Sequence, residues 1–192
     1  MNQIIEWLSG GDRRSDGASD EVVALILENP EIVDDLYVAL SYSDGVVRGR
    51  ASDAAEKIGR QKPELFISYF PEIIQAATED SNFEVRFHLA MLLGHMAMFD
   101  DHADQITATL KAQLKDKTAF VKSWSIASLC ILARLYPDKK EAIIREINSL
   151  ESDKSIAVRT RVRKGLEVLL DDVAPFPPGW IKSEKLKERF NK

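Results

Sequence analysis

Apolar and polar positions along this chain follow the spacing of amphipathic helices, and one short pattern marks where several of those helices begin. An acidic turn is followed by Val-Arg or Val-Lys, and then by an apolar helix. The valines of this pattern, Val47, Val85, Val121 and Val158, are separated by 38, 36 and 37 residues. A period of this length is typical of stacked helical repeats. The sequence therefore predicts an all-α fold built from repeated helix pairs.

Each of the four helices that begin at these valines carries an apolar stripe. Positions four, eight and eleven residues after the valine fall within about 80° of it on a helix. Four residues after the valines come Ala51, Leu89, Ser125 and Val162. Eight residues after them come Ala55, Leu93, Leu129 and Leu166, and eleven residues after them come Ile58, Met96, Leu132 and Leu169. One helix pair cannot bury such a stripe alone, so neighbouring pairs are expected to stack.

Helices are predicted at about 2–9, 45–60, 63–79, 82–98, 102–115, 118–136, 138–150, 155–171 and 181–190. Between 22 and 40 the helical pattern is interrupted by Pro30, which predicts either a kinked helix or two short ones. Pro71 lies within the 63–79 segment and is expected to bend that helix. No segment shows the alternation of a strand, so no sheet is expected.

The chain is expected to divide into three parts. Residues 1–18 are predicted to form a short helix, ended by Gly10-Gly11, and a polar loop over 12–18. Residues 19–171 form the repeat region. Residues 172–192 hold a Pro-rich segment and a basic helix, which are expected either to cap the last repeat or to bind a partner.

Composition limits the classes of protein to which the chain can belong. An apolar share of 45% with 30% charged residues is ordinary for a soluble protein, and no run of apolar residues is long enough to span a membrane. The first residues lack the basic leader of a secretory signal, and Cys130 is the only cysteine, so a cytoplasmic location is expected. The net charge of −5 argues against a general binder of polyanions.

Charge is distributed unevenly along the chain. Residues 1–60 carry a net charge of −6, residues 61–150 carry −2, and residues 151–192 carry +3. This gradient either helps to orient a partner or is a chance feature of a solvated surface.

In three of the repeats the cation after the valine lies six residues after an aspartate. These pairs are Asp80 and Arg86, Asp116 and Lys122, Asp153 and Arg159. On these residues the chain, over about 20–171, resembles the HEAT-repeat family. The resemblance implies a right-handed α-solenoid of about four to five HEAT-like helix pairs. It also implies that these aspartates and cations form a ladder of hydrogen bonds between successive units.

Two repeats depart from the ladder pattern. In the first repeat Asp44 lies only four residues before Arg48, which weakens the expectation of a ladder contact there. In the third repeat Lys122 replaces arginine and offers a point charge instead of a planar fork.

Candidate binding residues recur once per repeat beside the core stripe. Three residues after the valines come Arg50, His88, Trp124 and Arg161, and seven residues further on come Lys57 and His95 in the first two helices. The HEAT resemblance implies that these helices line a concave surface, where Arg, Trp and His can supply binding energy. The alternative is that Trp124 and Ile131 fill the core between repeats.

The sequence favours a protein-protein interaction module that is not an enzyme, needs no cofactor and binds another protein on the concave surface. No nucleophile elbow, phosphate loop or zinc-protease motif is present. His88, His95 and His102 are spaced by seven residues, which puts neighbouring imidazoles about 10 Å apart on a helix, so no metal site is expected. Cys130 lies in an apolar run and is expected to be an inert buried thiol.

The alternative function is nucleic-acid binding. HEAT-like DNA glycosylases that excise alkylated purines use a concave basic surface, and the candidate phosphate-binding residues here are Arg159, Arg161, Arg163 and Lys164. HEAT-like lyases and chaperones that act on pigment-bearing proteins are similar as well, but no residue in this chain favours them.

Overall fold

The computed structural model describes residues 2–11 and 15–190, so residues 12–14 of the predicted loop lie outside the described part. Within the described residues the chain forms eleven α-helices and no strand, and no helix is long and apolar enough to cross a membrane. The helices are α1 (Gln3–Leu8), α2 (Ser19–Glu28), α3 (Val33–Leu40), α4 (Gly45–Gly59), α5 (Phe70–Glu79), α6 (Phe83–Met96), α7 (Ala103–Gln113), α8 (Ala119–Leu135), α9 (Lys140–Asn148), α10 (Ile156–Leu170) and α11 (Glu184–Phe190). The predicted all-α class is confirmed.

Pro30 and Pro71 lie at the starts of helical segments and do not bend a helix. Pro30 begins a short 3₁₀ segment between α2 and α3, so of the two alternatives the pair of short helices is correct. The prediction that Pro71 bends a long helix is wrong, because residues 63–69 form 3₁₀ turns and Pro71 lies in the first turn of α5. A proline is accommodated there because the first N–H groups of a helix have no partner within it.

Residues 1–92 and residues 93–192 form two compact units. In the first unit α4 packs against α2 and α3, α1 packs against α3 and α4, and Leu8, Ile26 and Ile58 are fully buried between them. In the second unit α8 packs against α7, α9 and α10, and α9 also contacts α10. These contacts are those of neighbouring helix pairs in a repeat.

The predicted core stripe is confirmed on α4, α6, α8 and α10. Every stripe position is buried except Leu166, which is half-buried. Leu166 lies on α10, the last helix of the repeat pattern, and no further helix pair follows it in the described chain. The other stripe residues of α10, Val158, Val162 and Leu169, are buried against the rest of the second unit.

Three turn aspartates stabilise the starts of α6, α8 and α10. The carboxylates of Asp80, Asp116 and Asp153 each accept a hydrogen bond from the backbone N–H two residues further on, at 2.7, 2.7 and 2.8 Å. This local contact satisfies a backbone donor that the helix itself leaves without an acceptor.

Two of these aspartates also bind a cation from the preceding repeat. Arg48 Nε and Nη2 donate to the two carboxylate oxygens of Asp80 at 2.7 and 3.1 Å. In the second unit Lys122 donates to Asp153. In the first repeat Asp44 accepts from the backbone N–H of Val46 at the start of α4, and Arg48 reaches forward to Asp80. The link therefore runs from a cation forward to the next turn.

The cation of the aspartate's own repeat has a different acceptor. Arg86 Nη1 donates to the main-chain carbonyl of Asp80 at 2.6 Å, and Arg159 Nη1 donates to that of Asp153 at 2.7 Å. Each turn is therefore held on both sides, through its carboxylate by the previous repeat and through its carbonyl by its own.

Candidate functional site

Arg50, the first residue of the predicted binding column, anchors the N-terminal segment. The residue is 5% exposed; its Nη1 donates to the carbonyls of Leu8 and Gly10 at 2.8 and 2.6 Å, and Nε donates to that of Ser15 at 3.0 Å. A Cβ on Gly17 would lie 2.9 Å from the guanidinium, so the segment needs a glycine there. These contacts use Arg50 inside the first unit and do not support a contact with a partner.

Lys57 and His88 also have partners within the first unit. Lys57 Nζ lies 2.6 Å from Asp20 and 2.7 Å from Asp53. Burial alone would lower the pKa of Lys57, but the hydrogen bonds and charges of the two carboxylates outweigh it and raise the pKa. His88 Nδ1 lies 3.0 Å from the hydroxyl of Ser52. Both side chains therefore tie α4 to its neighbours.

The adjacent side chains of Ser52, His88 and Asp53 are not arranged for nucleophilic attack. His88 Nε2 lies 3.7 Å from Asp53, but Ser52 is fully buried and its hydroxyl donates to the carbonyl of Gly49 at 2.7 Å. A nucleophilic serine must reach the substrate, and this one does not. His95, in the second unit, is 2% exposed, so its position does not support contact with a partner either.

The second unit places the other two column residues in an aromatic and cationic cluster. The guanidinium carbon of Arg161 lies 5.0 Å from the ring centre of Trp124 and 4.6 Å from that of Trp180. Lys182 Nζ lies 4.8 Å from the ring centre of Trp124. Contacts of this length are cation–π interactions, which strengthen when the cation is partly desolvated. We call these four residues the Trp–Arg cluster.

Arg161 is a desolvated cation held mainly by ring faces. Its Nη1 is buried without a hydrogen-bond acceptor, and the residue makes no ion pair with any other residue that the structure describes. Burial lowers the pKa of Arg161, and the neighbouring Cys130 offsets this effect in part. Because a guanidinium stays charged at neutral pH, Arg161 gives the cluster a positive charge with which no carboxylate of the described residues forms an ion pair.

An open groove of about 770 Å³ borders the Trp–Arg cluster. Its walls also include Lys164 from α10 and residues 177–179 of the Pro-rich segment, and none of the described residues that line it is acidic. The groove therefore has the charge that an acidic ligand requires.

The Pro-rich segment is fixed to the end of α10 by one arginine. Arg134 Nη2, from α8, donates to the carbonyls of Val168, Asp171 and Ala174 at 2.8, 3.0 and 2.7 Å. Since these acceptors extend from α10 into the segment, Arg134 sets the direction in which the chain approaches Trp180. The segment thereby forms one wall of the groove.

Gly165 allows Trp180 to reach the cluster. A Cβ at this position would lie 3.1 Å from the sulfur of Cys130 and 3.8 Å from the Trp180 ring. The missing side chain leaves space in which the indole, which is 6% exposed, covers Arg161. Cys130 is fully buried, and burial raises the pKa of its thiol to about 12, so the reactive thiolate does not form at neutral pH.

The predicted phosphate-binding residues are divided between two faces of α10. Arg161 and Lys164 line the groove beside the Trp–Arg cluster, whereas Arg159 and Arg163 line a different groove. Residues two apart on a helix point in different directions, which explains the division. The structure does not bring the four cations together as one patch.

Trp180 and Lys182 complete the cluster but were not predicted as binding residues. They follow the Pro-rich segment, where the repeat period no longer assigns positions. The signal that could have found them is compositional: an aromatic and a cation directly after a segment too rich in proline for a helix.

Comparisons with known proteins identify relatives by fold. No protein-family profile matches the chain, and no curated protein matches it. The chain is similar to a chain in the complex of CpcE and CpcF of phycocyanin lyase from Nostoc sp. PCC7120, with a TM-score of 0.68 and 20% identity over 85% of this chain and 95% of that chain. It is also similar to an engineered protein, with a TM-score of 0.61 and 16% identity over 88% of this chain and 80% of that chain. These likenesses show the fold, an α-solenoid of helix pairs.

One expectation from the sequence is corrected by these comparisons. The absence of familiar catalytic motifs led to the expectation that the chain is not an enzyme. A structure that matches this fold with a TM-score of 0.68 belongs to a phycocyanin lyase. This architecture therefore accommodates catalysis, and the missing motifs do not exclude enzymatic activity. The likeness at 20% identity assigns no reaction to this chain.

Proposed function

We propose that this chain binds another protein, and that the partner docks on α8 and α10 at the groove beside the Trp–Arg cluster. The observation that carries the proposal is the state of Arg161. Its guanidinium is held between two indole rings, and no carboxylate among the described residues balances its charge. Arg and Trp are the side chains that most often dominate the binding energy of an interface.

The partner's docking segment is acidic. Arg161, Lys164 and Lys182 line the groove together, and no acidic residue among those described does. A carboxylate that enters the groove would compensate the charge of Arg161, whose guanidinium is already desolvated. The free-energy cost of removing water from this cation is therefore part of folding and does not reduce the binding affinity. The groove is preformed, because Arg134 and Gly165 hold its walls in place.

Nucleic acid is a weaker candidate for the same groove. Binding of single strands relies on aromatic faces that are open to the bases, but Trp180 is 6% exposed and its ring is covered by Arg161. The cations that a phosphate backbone would need lie on two faces of α10. These features favour an acidic protein segment over a polyanion.

The fold relative supports a protein partner in a second way. Its structure is described as a complex of two proteins, CpcE with CpcF. Because that complex is a lyase, a captured partner of this chain should be examined for chemical change as well as for binding.

The proposal can be tested by affinity capture from a lysate, with and without nuclease. The double variant Trp124→Ala/Arg161→Gln should capture at least ten times less partner than Arg145→Gln. Arg145→Gln is a matched change at an exposed arginine on α9. If the partner is captured in the presence of nuclease but not by the double variant, the result supports docking of a protein at this groove. Capture that nuclease abolishes, or that the double variant retains in full while its circular dichroism is unchanged, contradicts it.

A further inference from the structure

One side of α10 carries a stripe of side chains that the described part of the chain leaves exposed. Ile156, Arg163 and Leu170 are spaced by seven residues, or two helical turns, so they lie along one line. Ile156 is 72% exposed, Leu170 is 73% exposed, and the stripe borders a groove of about 580 Å³. The Pro-rich segment does not line this groove.

This stripe is complementary to itself in an antiparallel arrangement. Arg163 is its midpoint, with Ile156 and Leu170 seven residues to either side and with Arg159 and Glu167 four residues to either side. A two-fold axis at Arg163 would therefore place Ile156 against Leu170 of a second copy. The same axis would place Arg159 against Glu167 of the second copy, an opposite charge.

Arg159 has a further reason to take a carboxylate from a second copy. Arg48 and Lys122, the equivalent cations of earlier repeats, each bind the aspartate of the following turn. Arg159 belongs to the last repeat, and among the described residues its guanidinium donates only to main-chain carbonyls. A carboxylate from outside the chain would complete the contact that earlier repeats make internally.

We propose that two copies of this chain associate through α10, packed antiparallel about a two-fold axis at Arg163. Ile156 and Leu170 form an apolar contact at each end, and two Arg159–Glu167 pairs lie between them. Glu151 lines the same groove as Arg163, and its carboxylate offsets part of the positive charge that the two Arg163 side chains bring to the interface. One helix from each copy makes a small interface, so the expected dissociation constant is on the order of 10 μM.

Charge reversal tests this arrangement by sedimentation equilibrium across about 1 to 300 μM, a range that brackets the expected dissociation constant. The wild type should pass from monomer to dimer over this range. Arg159→Glu and Glu167→Arg should each weaken the dimer at least tenfold, because each places like charges together. An equimolar mixture of the two variants should form a heterodimer, since every charged pair is then opposite. Arg145→Glu, on α9, is the matched control and should dimerise like the wild type.

Three results would overturn the proposal. They are a wild type that stays monomeric at 300 μM, single variants that dimerise as tightly as the wild type, and a mixture that gains no dimer over its components. Arg159→Glu also removes hydrogen bonds to its own turn, so each variant is first checked for native helicity and melting temperature. Glu167→Arg, whose side chain is exposed, and the doubly reversed Arg159→Glu/Glu167→Arg chain, which should dimerise again, keep the test valid if Arg159→Glu is unstable.

Discussion

Arg48 and Asp80 form a two-point contact, in which Nε and Nη2 of the guanidinium donate to both oxygens of one carboxylate. The carboxylate is 8% exposed, and it also accepts the backbone N–H of Asn82. One aspartate therefore closes a turn and joins two successive repeats of the first unit. This double use makes Asp80 a position where loss of the carboxylate should affect both the turn and the contact between repeats.

Asp80→Ala should lower the free energy of unfolding by about 2 kcal/mol, because it removes a charged hydrogen-bond pair and leaves Arg48 with a partly buried charge. Urea unfolding followed by circular dichroism measures the loss. Asp101 is exposed, and Asp101→Ala should change the free energy of unfolding by less than about 0.5 kcal/mol. Equal effects of the two substitutions would contradict the role assigned to Asp80.

Arg86→Ala should destabilise the fold and should not selectively abolish partner binding. The substitution removes the hydrogen bond to the carbonyl of Asp80, at a cost of about 1 to 2 kcal/mol. A thermal melt measures this as a lower melting temperature. An unchanged melting temperature, together with lost capture of a partner, would assign Arg86 to binding instead.

The contact between Lys122 and Asp153 should make stability fall in acid. Burial alone would raise the pKa of Asp153, but the hydrogen bonds from Lys122 and from the backbone N–H of Ser155 outweigh it and lower the pKa from its ordinary value. A carboxyl group with a lowered pKa stabilises the fold above its unfolded pKa and loses that contribution as the pH falls through its folded pKa. The contribution should therefore be complete above about pH 5 and decline below about pH 4.

Urea midpoints measured at steps of pH test this expectation. Asp153→Asn should be less stable than the wild type at neutral pH, and the difference should narrow as the pH falls below about 4. Asp101→Asn should parallel the wild type throughout. A difference between Asp153→Asn and the wild type that stays constant down to about pH 2 would show that ionisation of Asp153 does not contribute.

Gly165→Ala should destabilise the second unit by about 1 to 3 kcal/mol, because the new methyl group would press against the sulfur of Cys130. Cys130→Ala removes that sulfur, so the double variant should lose less stability than the sum of the two single variants. A double-mutant cycle from urea unfolding measures the difference. Additive losses would show that the two positions do not compete for space.

Arg134→Ala should loosen the C-terminal segment while leaving the repeats folded. The arginine donates to three carbonyls between Val168 and Ala174, and no other described side chain is shown to do so. Hydrogen exchange of the α11 amides should become faster, and exchange in the core of α8 should stay slow. Arg145→Ala is the matched control, and equal exchange in α11 for both variants would contradict the anchoring role.

Features set by local periodicity could be predicted from the sequence. Val47, Val121 and Val158 mark helices whose apolar stripes are buried, because a helix fixes which residues share a face. Leu166 is the exception: it is only half-buried because it borders the open groove on α10, and helical periodicity does not show which edge of a stripe a neighbouring element covers. Pro71 was misplaced because a proline within an apolar run is equally compatible with a bend and with a new helix start.

The candidate site depended on contacts that carry no sequence signature. Arg50 donates to main-chain carbonyls, which every residue possesses, so nothing in the sequence separated it from the cations of a binding surface. Trp124 and Arg161 could be predicted because the repeat places them three residues after their valines. Trp180 lies beyond the repeat, and its contact with Arg161 depends on the path of a Pro-rich segment that no period describes.

The forward direction of the aspartate links has a consequence for the chain as it is synthesised. Arg48 leaves the ribosome 32 residues before Asp80, and Lys122 leaves 31 residues before Asp153. Each cation is therefore synthesised before the aspartate that accepts its hydrogen bond. The ion pair between two successive repeats can form only after translation has supplied the later turn.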